Sequence, residues 1–138
     1  MWTLDWSSST PQLAARAAAD PAGVDVVNGD AGLTDHYGGS VPADLVLVCG
    51  IFGNITDADV ARTVATLPEF TAPGGTVVWT RHRREPDLVP RIHSWFAEHD
   101  FDLVWQSART AGYGVGVHRF TGRTRPLRTG RRLFTFTG

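Results

Sequence analysis

Two short apolar runs, Val24 to Asn28 and Asp44 to Gly50, stand out along the chain. Each is nearly unbroken, and each ends in a polar, glycine-containing turn: Gly29-Asp30 after the first, Gly50-Ile51-Phe52-Gly53 after the second. A strand with one wet face alternates, whereas a near-continuous apolar run suits a parallel strand covered by helices on both faces. In open sheets of that kind ligands sit beyond the carboxyl ends of the strands, so Asp30, Ala31 and the residues after Cys49 are where chemistry is expected.

Before the first run and after the second, helical patterns appear, with only a short turn between the two. Thr10 is a suitable N-cap, Pro11 fits the first helical position, and an Ala-rich run of high helix propensity follows until Pro21 and Gly23. Thr56-Asp57-Ala58-Asp59 resembles a capping box, with acids suited to the positive helix end and Val60, Val64 and Leu67 at helical spacing behind it. Pro73-Gly74-Gly75 predicts a tight turn before a β-branched strand, Thr76 to Thr80. Asp87 then opens a helix with Leu88, Ile92, Trp95 and Phe96 on one face, and Pro90 is tolerated in its first turn. Phe101 to Trp105 and Gly112 to Phe120 read as an antiparallel closing pair. The second alternates Tyr113, Val115 and Val117, with His118 turned to solvent.

The length of 138 residues, with 42% hydrophobic and 20% charged, suits a single domain over residues 1–138 with a real core. One cysteine, Cys49, rules out an internal disulfide and a cysteine-rich zinc site and fits a reducing compartment. The sequence shows no bilayer-length apolar run, no basic start and no apolar signal core, so no membrane association and a cytoplasmic location are expected. All 13 basic residues are Arg, which leaves no Schiff-base or P-loop lysine. Charge is unevenly spread: residues 1–102 hold all 14 acids and six Arg, whereas the remainder holds seven Arg and no acid. The Arg-rich segment 121–138 reads as an extended tail or edge segment. Its charge is opposite to that of the body, so intramolecular pairing is preferred to an RNA or phosphate footprint.

The order of elements, together with GVDVVNGDAG, ADLVLVCGIFGNI, LPEFTAPGGTVVWT, WFAEHDFDLV and GYGVGVHRF, resembles the class I S-adenosylmethionine-dependent methyltransferases. The resemblance implies an α/β fold with a three-layer Rossmann-like sheet, mostly parallel and closed by an antiparallel C-terminal strand pair. It further implies S-adenosylmethionine as cofactor, methyl transfer to a small-molecule substrate, and no metal. Trp2 to Asp5 would be the second strand of that sheet. The first strand, which carries the family's glycine-rich turn and lies between the second and fourth, is then missing. This predicts either an N-terminally incomplete chain or a sheet that closes up in an altered arrangement, with a homodimer as one way to cover exposed core.

By the same resemblance Asp5 would accept hydrogen bonds from the ribose hydroxyls, a task suited to a carboxylate, the alternative being an exposed acid near a helix start. Asp30 would meet the adenine amino group and Ala31 the ring edge, the alternative for Asp30 being an Asx-turn or helix cap. Backbone groups of Cys49, Gly50 and Ile51 would face the cofactor, while Phe52 and Asn54 would face substrate. His82 would orient or deprotonate the acceptor, with the adjacent Arg residues holding an anionic one, against the plainer reading of solvated loop charges. No particular residue is assigned as catalytic. Two other functions stay open: a non-catalytic binding or interaction module of the same fold, and a hydrolase using Cys49 as nucleophile, although Cys49 reads first as a small buried hydrophobe. His82, His93, His99 and His118 lack the i, i+4 pairing with a nearby Glu that a helical zinc motif needs.

Overall fold

The computed structural model describes the backbone of Trp2–Leu4 and residues 26–137. Five strands, β1 (Trp2–Leu4), β2 (Ala43–Val48), β3 (Thr71–His82), β4 (Phe101–Gln106) and β5 (Tyr113–Phe120), form one sheet in the order β1-β2-β3-β5-β4. The first three run parallel and the last two are antiparallel, as the late strand pair predicted. Helices α1 (Asp57–Thr66) and α2 (Val89–Glu98) pack against each other on one face. The cap signals hold: Thr56 Oγ1 accepts from the Asp59 N–H at 3.2 Å, and Asp87 Oδ1 accepts from the Val89 N–H at 3.0 Å. Pro90 sits in the first turn of α2, where its missing N–H costs nothing.

The sheet takes the second of the two courses expected of it, and two other expectations need correcting. The strand at Trp2–Leu4 pairs directly with β2 and leaves no gap, so the sheet closes up. With that edge of β2 taken, Val26–Asn28 form no strand and are exposed; the rest of the Val24 run and the Ala-rich helix lie outside the described residues. The Pro73-Gly74-Gly75 turn is not a break before a strand. It is an irregularity within β3, where pairing jumps from Ala43↔Thr71 to Leu45↔Thr76 and Gly74 takes a φ of 77°.

The covered face of the sheet holds the core. Val46, Val77 and His118 share one register row, and Val48, Trp79 and Gly116 the next. Val60 and Val64 of α1 and Ile92 and Phe96 of α2 are fully buried against them. His118 belongs to this core at 1% exposure, stacked on Phe96 at 4.2 Å between ring centroids, and does not face solvent. The other face carries Leu47, Val78, Val117 and Trp105 in a single row, half-buried except for Trp105, which is exposed. Gly116 makes room for Trp79, since a Cβ there would lie 2.4 Å from the indole. Gly116→Ala is therefore expected to destabilise by about 1–3 kcal/mol through overpacking. Urea unfolding checks this, and an unchanged midpoint would show that the indole can shift freely.

Segment 121–137 is docked. It runs antiparallel to α1, from Pro68, whose carbonyl accepts from the Arg125 N–H at 3.1 Å, to Asn54, whose carbonyl accepts from the Thr137 N–H at 2.9 Å. Between those ends Leu133 and Phe134 enter the core at 2% and 0% exposure. Arg132 pairs with Asp30 at 3.0 Å and Arg131 with Glu69 at 3.6 Å, so the tail's positive charge does meet acids of the body.

Candidate functional site

The parallel strands β2 and β3 end side by side, and the turn that leaves β2 is held by its own polar groups. Gly50 adopts a φ of 73°, a conformation that favours a residue without Cβ. Its N–H donates to Thr80 Oγ1 at 3.3 Å, which ties the end of β2 to β3. Its carbonyl accepts from Asn54 Nδ2 at 2.7 Å, and the Asn54 N–H reaches the Ile51 carbonyl at 2.9 Å. Cys49, Gly50, Gly53 and Asn54 are all half-buried, and the turn stands at the carboxyl end of the sheet, where open α/β folds form their ligand crevice.

His82, the last residue of β3, packs beside this turn. A Cβ on Gly53 would lie 2.8 Å from its Cδ2, so the missing side chain lets the imidazole lie against the β2 turn. Burial first, then the charges of Arg84 and Arg81, push its pKa below the ordinary value, while a backbone hydrogen bond with Gly53 pulls the other way. The ring is thus neutral near pH 7, and its Nδ1 is buried with no hydrogen-bond partner. A neutral imidazole with an unfilled nitrogen is suited to accept or relay a proton. The neighbouring Arg residues differ in use. Arg81 is buried on the helix side, 4.0 Å from Asp57, and Arg83 pairs with Asp87 at 3.1 Å, leaving Arg84 exposed.

The remaining predicted residues divide. Ile51 and Phe52 are both 0% exposed; Phe52 lies 5.9 Å from Trp79 between ring centroids. Only the backbone of Ile51 is available to a ligand, and Phe52 is a core residue here, because the turn folds both side chains back under the sheet. Asp30 forms an Asx-turn, its Oδ1 accepting from the Gly32 N–H at 2.8 Å while Oδ2 meets Arg132 at 3.0 Å. The Gly32 hydrogen bond, more than Arg132, holds its carboxyl below the ordinary pKa. The Ala31 carbonyl accepts from the buried Tyr37 hydroxyl at 2.6 Å. The tail from Arg132 to Thr137 links Asp30 to Asn54, a span of at most about 18 Å for an extended chain. Asp5 lies outside the described residues. Sequence reasoning placed Gly53 in the turn but missed Thr80, which ties the turn to β3; a threonine near a strand end carries no distinguishing signal. Among the described residues no group of three or more His, Cys, Asp and Glu could hold a metal ion.

No protein-family model and no curated protein sequence matches the chain. Solved structures do. An O-methyltransferase family protein from Burkholderia thailandensis superposes with a TM-score of 0.64 at 14% identity, over 87% of this chain and 42% of its own. The chain has the class I methyltransferase fold. Human N-acetylserotonin methyltransferase in complex with SAM gives 0.59 at 14% identity, covering 88% of this chain and 40% of that one. A methyltransferase-like protein from Pseudomonas syringae gives 0.58 at 17%, covering 82% and 68%. This version of the methyltransferase fold thus spans less than half the length of two of these three neighbours. The Gly50 turn and His82 stand where open α/β sheets take their ligands. Among the described residues no helix is long and apolar enough to cross a membrane.

Proposed function

We propose that the chain is an S-adenosylmethionine-dependent methyltransferase domain acting on a small-molecule acceptor. The observation that carries the reading is that the Gly50 turn and His82 meet at the carboxyl ends of β2 and β3, on a sheet of the methyltransferase class. The donor set fits the cofactor. Gly50 offers close backbone approach, and Asp30 has one carboxylate oxygen whose partner, the half-exposed Arg132, can be exchanged. Asp30 and Ala31 would hold the nucleobase end, and the Cys49–Ile51 backbone the methyl-bearing end. The bound cofactor supplies an activated methyl group. The chain's own part is alignment of the acceptor by Asn54 and His82, with His82 able to take the acceptor's proton because its imidazole is kept neutral.

Calorimetric titration with S-adenosylhomocysteine tests this reading. One-site binding is expected, weakened at least about tenfold in Asp30→Ala, as befits loss of a hydrogen bond to a charged group. Arg132→Ala is expected to bind as well as the parent or better, because it releases Asp30 Oδ2. A cooperatively folded protein that gives no heat would favour the second reading, a non-catalytic module. What favours that alternative now is that both Asp30 oxygens already have partners within the chain.

A further inference from the structure

At the other end of the sheet, below the start of β3, lies a cleft of about 440 Å³. Arg62 from α1 and Arg125, Arg128 and Arg131 from the docked tail line it, together with Glu69 and His99. We propose that this cleft binds a small molecule bearing phosphate, in a site separate from the crevice.

The argument is one of unanswered charge and unfilled donors. Arg62 pairs with Asp59 at 2.6 Å and Arg131 with Glu69 at 3.6 Å, so two carboxylates stand against four guanidinium groups. Glu69 is 5% exposed, and its other oxygen already accepts from the Arg128 backbone N–H at 2.8 Å, so it has little left to offer. Arg125 uses Nη2 on the Ala65 carbonyl at 2.9 Å, answering the negative end of α1. The Arg128 guanidinium has no partner among the described residues. Each guanidinium carries five N–H donors, and most of those facing the cleft are unfilled.

Shape selects the ligand class. The volume lies within the range of small-molecule sites, and a water's share of liquid is about 30 Å³, so there is room for a ligand of a dozen or more heavy atoms. Guanidinium groups approach from two elements, α1 and the tail. They suit a phosphate, with three outward oxygens, better than a planar carboxylate with two. Single-stranded RNA is recognised through aromatic platforms beside a basic groove, and no Phe, Tyr or Trp lines this cleft.

Pyrophosphate is the probe. Calorimetry at constant ionic strength should give one site per chain, with affinity reduced at least about tenfold in Arg128→Ala, by loss of a charge-assisted hydrogen bond. That substitution removes no side-chain hydrogen bond or ion pair among the described residues, and matching urea midpoints would verify that the fold is kept. Arg109→Ala, in the turn between β4 and β5, should bind as the parent does. Several outcomes would overturn the assignment: no binding by the folded protein, equal binding by Arg128→Ala, or equal losses in both variants, which would mean diffuse attraction. Binding of a 20-nucleotide RNA that pyrophosphate at millimolar concentration fails to displace would assign the basic surface to nucleic acid instead.

Discussion

Phe134→Ala is expected to lower the stability of the domain by about 3–5 kcal/mol, the cost of removing a large aromatic from a packed interior. Phe134 is fully buried, its ring 5.1 Å from that of Phe136, and its carbonyl would lie 2.2 Å from a Cβ placed on Gly32. The backbone around it is pinned at Leu133, whose N–H donates to the Gly32 carbonyl at 2.7 Å, and at Thr135, whose N–H reaches Asp59 Oδ2 at 3.0 Å. The surroundings therefore cannot collapse easily into the space left behind. With small domains stable by only about 5–15 kcal/mol, the loss is a large share of the whole. Thermal and urea unfolding of Phe134→Ala beside Arg123→Ala, an exposed change in the same segment, separates the core role from the charge. Equal midpoints would mean that residues 121–137 are not part of the cooperative unit.

Acidification should weaken the fold in a way that belongs largely to one residue. His118 is buried among Trp79, His93 and Phe96, and neither of its ring nitrogens has a hydrogen-bond partner. Burial, and to a lesser degree His93, push its pKa down to about 3. In the unfolded chain the ring titrates near the ordinary value of about 6.5, so between the two values the unfolded state binds the extra proton. Stability from this residue is fully present above about pH 6.5 and is lost as pH falls toward 3. At pH 5 the loss is about 2 kcal/mol. His118→Phe keeps the ring and its stacking on Phe96 but removes the titration. The drop in urea midpoint from pH 7.5 to pH 5.0 should shrink in this variant, with a remainder from His93, whose pKa burial also lowers. A drop of the same size in both proteins would place the acid sensitivity elsewhere.

The same histidine shows why one face of β5 was hard to read. Tyr113, Val115 and Val117 supply the visible apolar alternation, so the intervening positions look like the wet face. They are Gly114, Gly116, His118 and Phe120, and they are the buried ones. Two glycines give no hydrophobic signal because what fills their space belongs to other elements, Val89 and Trp79. Signals confined to a few neighbouring residues were legible: the Thr56 cap, the start of α2, the antiparallel end of the sheet. The chemistry-bearing turn was legible in position but not in detail. Gly50 and Asn54 lie at the crevice, while Phe52, read as facing a ligand, is folded under it. The tail was legible only as charge. Its anchors, Leu133 and Phe134, are two residues with no periodicity around them, and their partners near Gly32 lie some hundred positions away in the sequence.

That separation bears on how the domain is made. A ribosome that has reached residue 120 has delivered every described strand and both described helices, yet not the two side chains that seal the space between α1 and the segment around Gly32. Until those residues emerge, the seam between α1 and the Gly32 segment stays open, the kind of incompletely packed surface that chaperones hold during synthesis. Vectorial synthesis thus makes the seal later than every described strand and helix, and a message that stalls or shifts frame after residue 120 should yield a product that is degraded rather than stored.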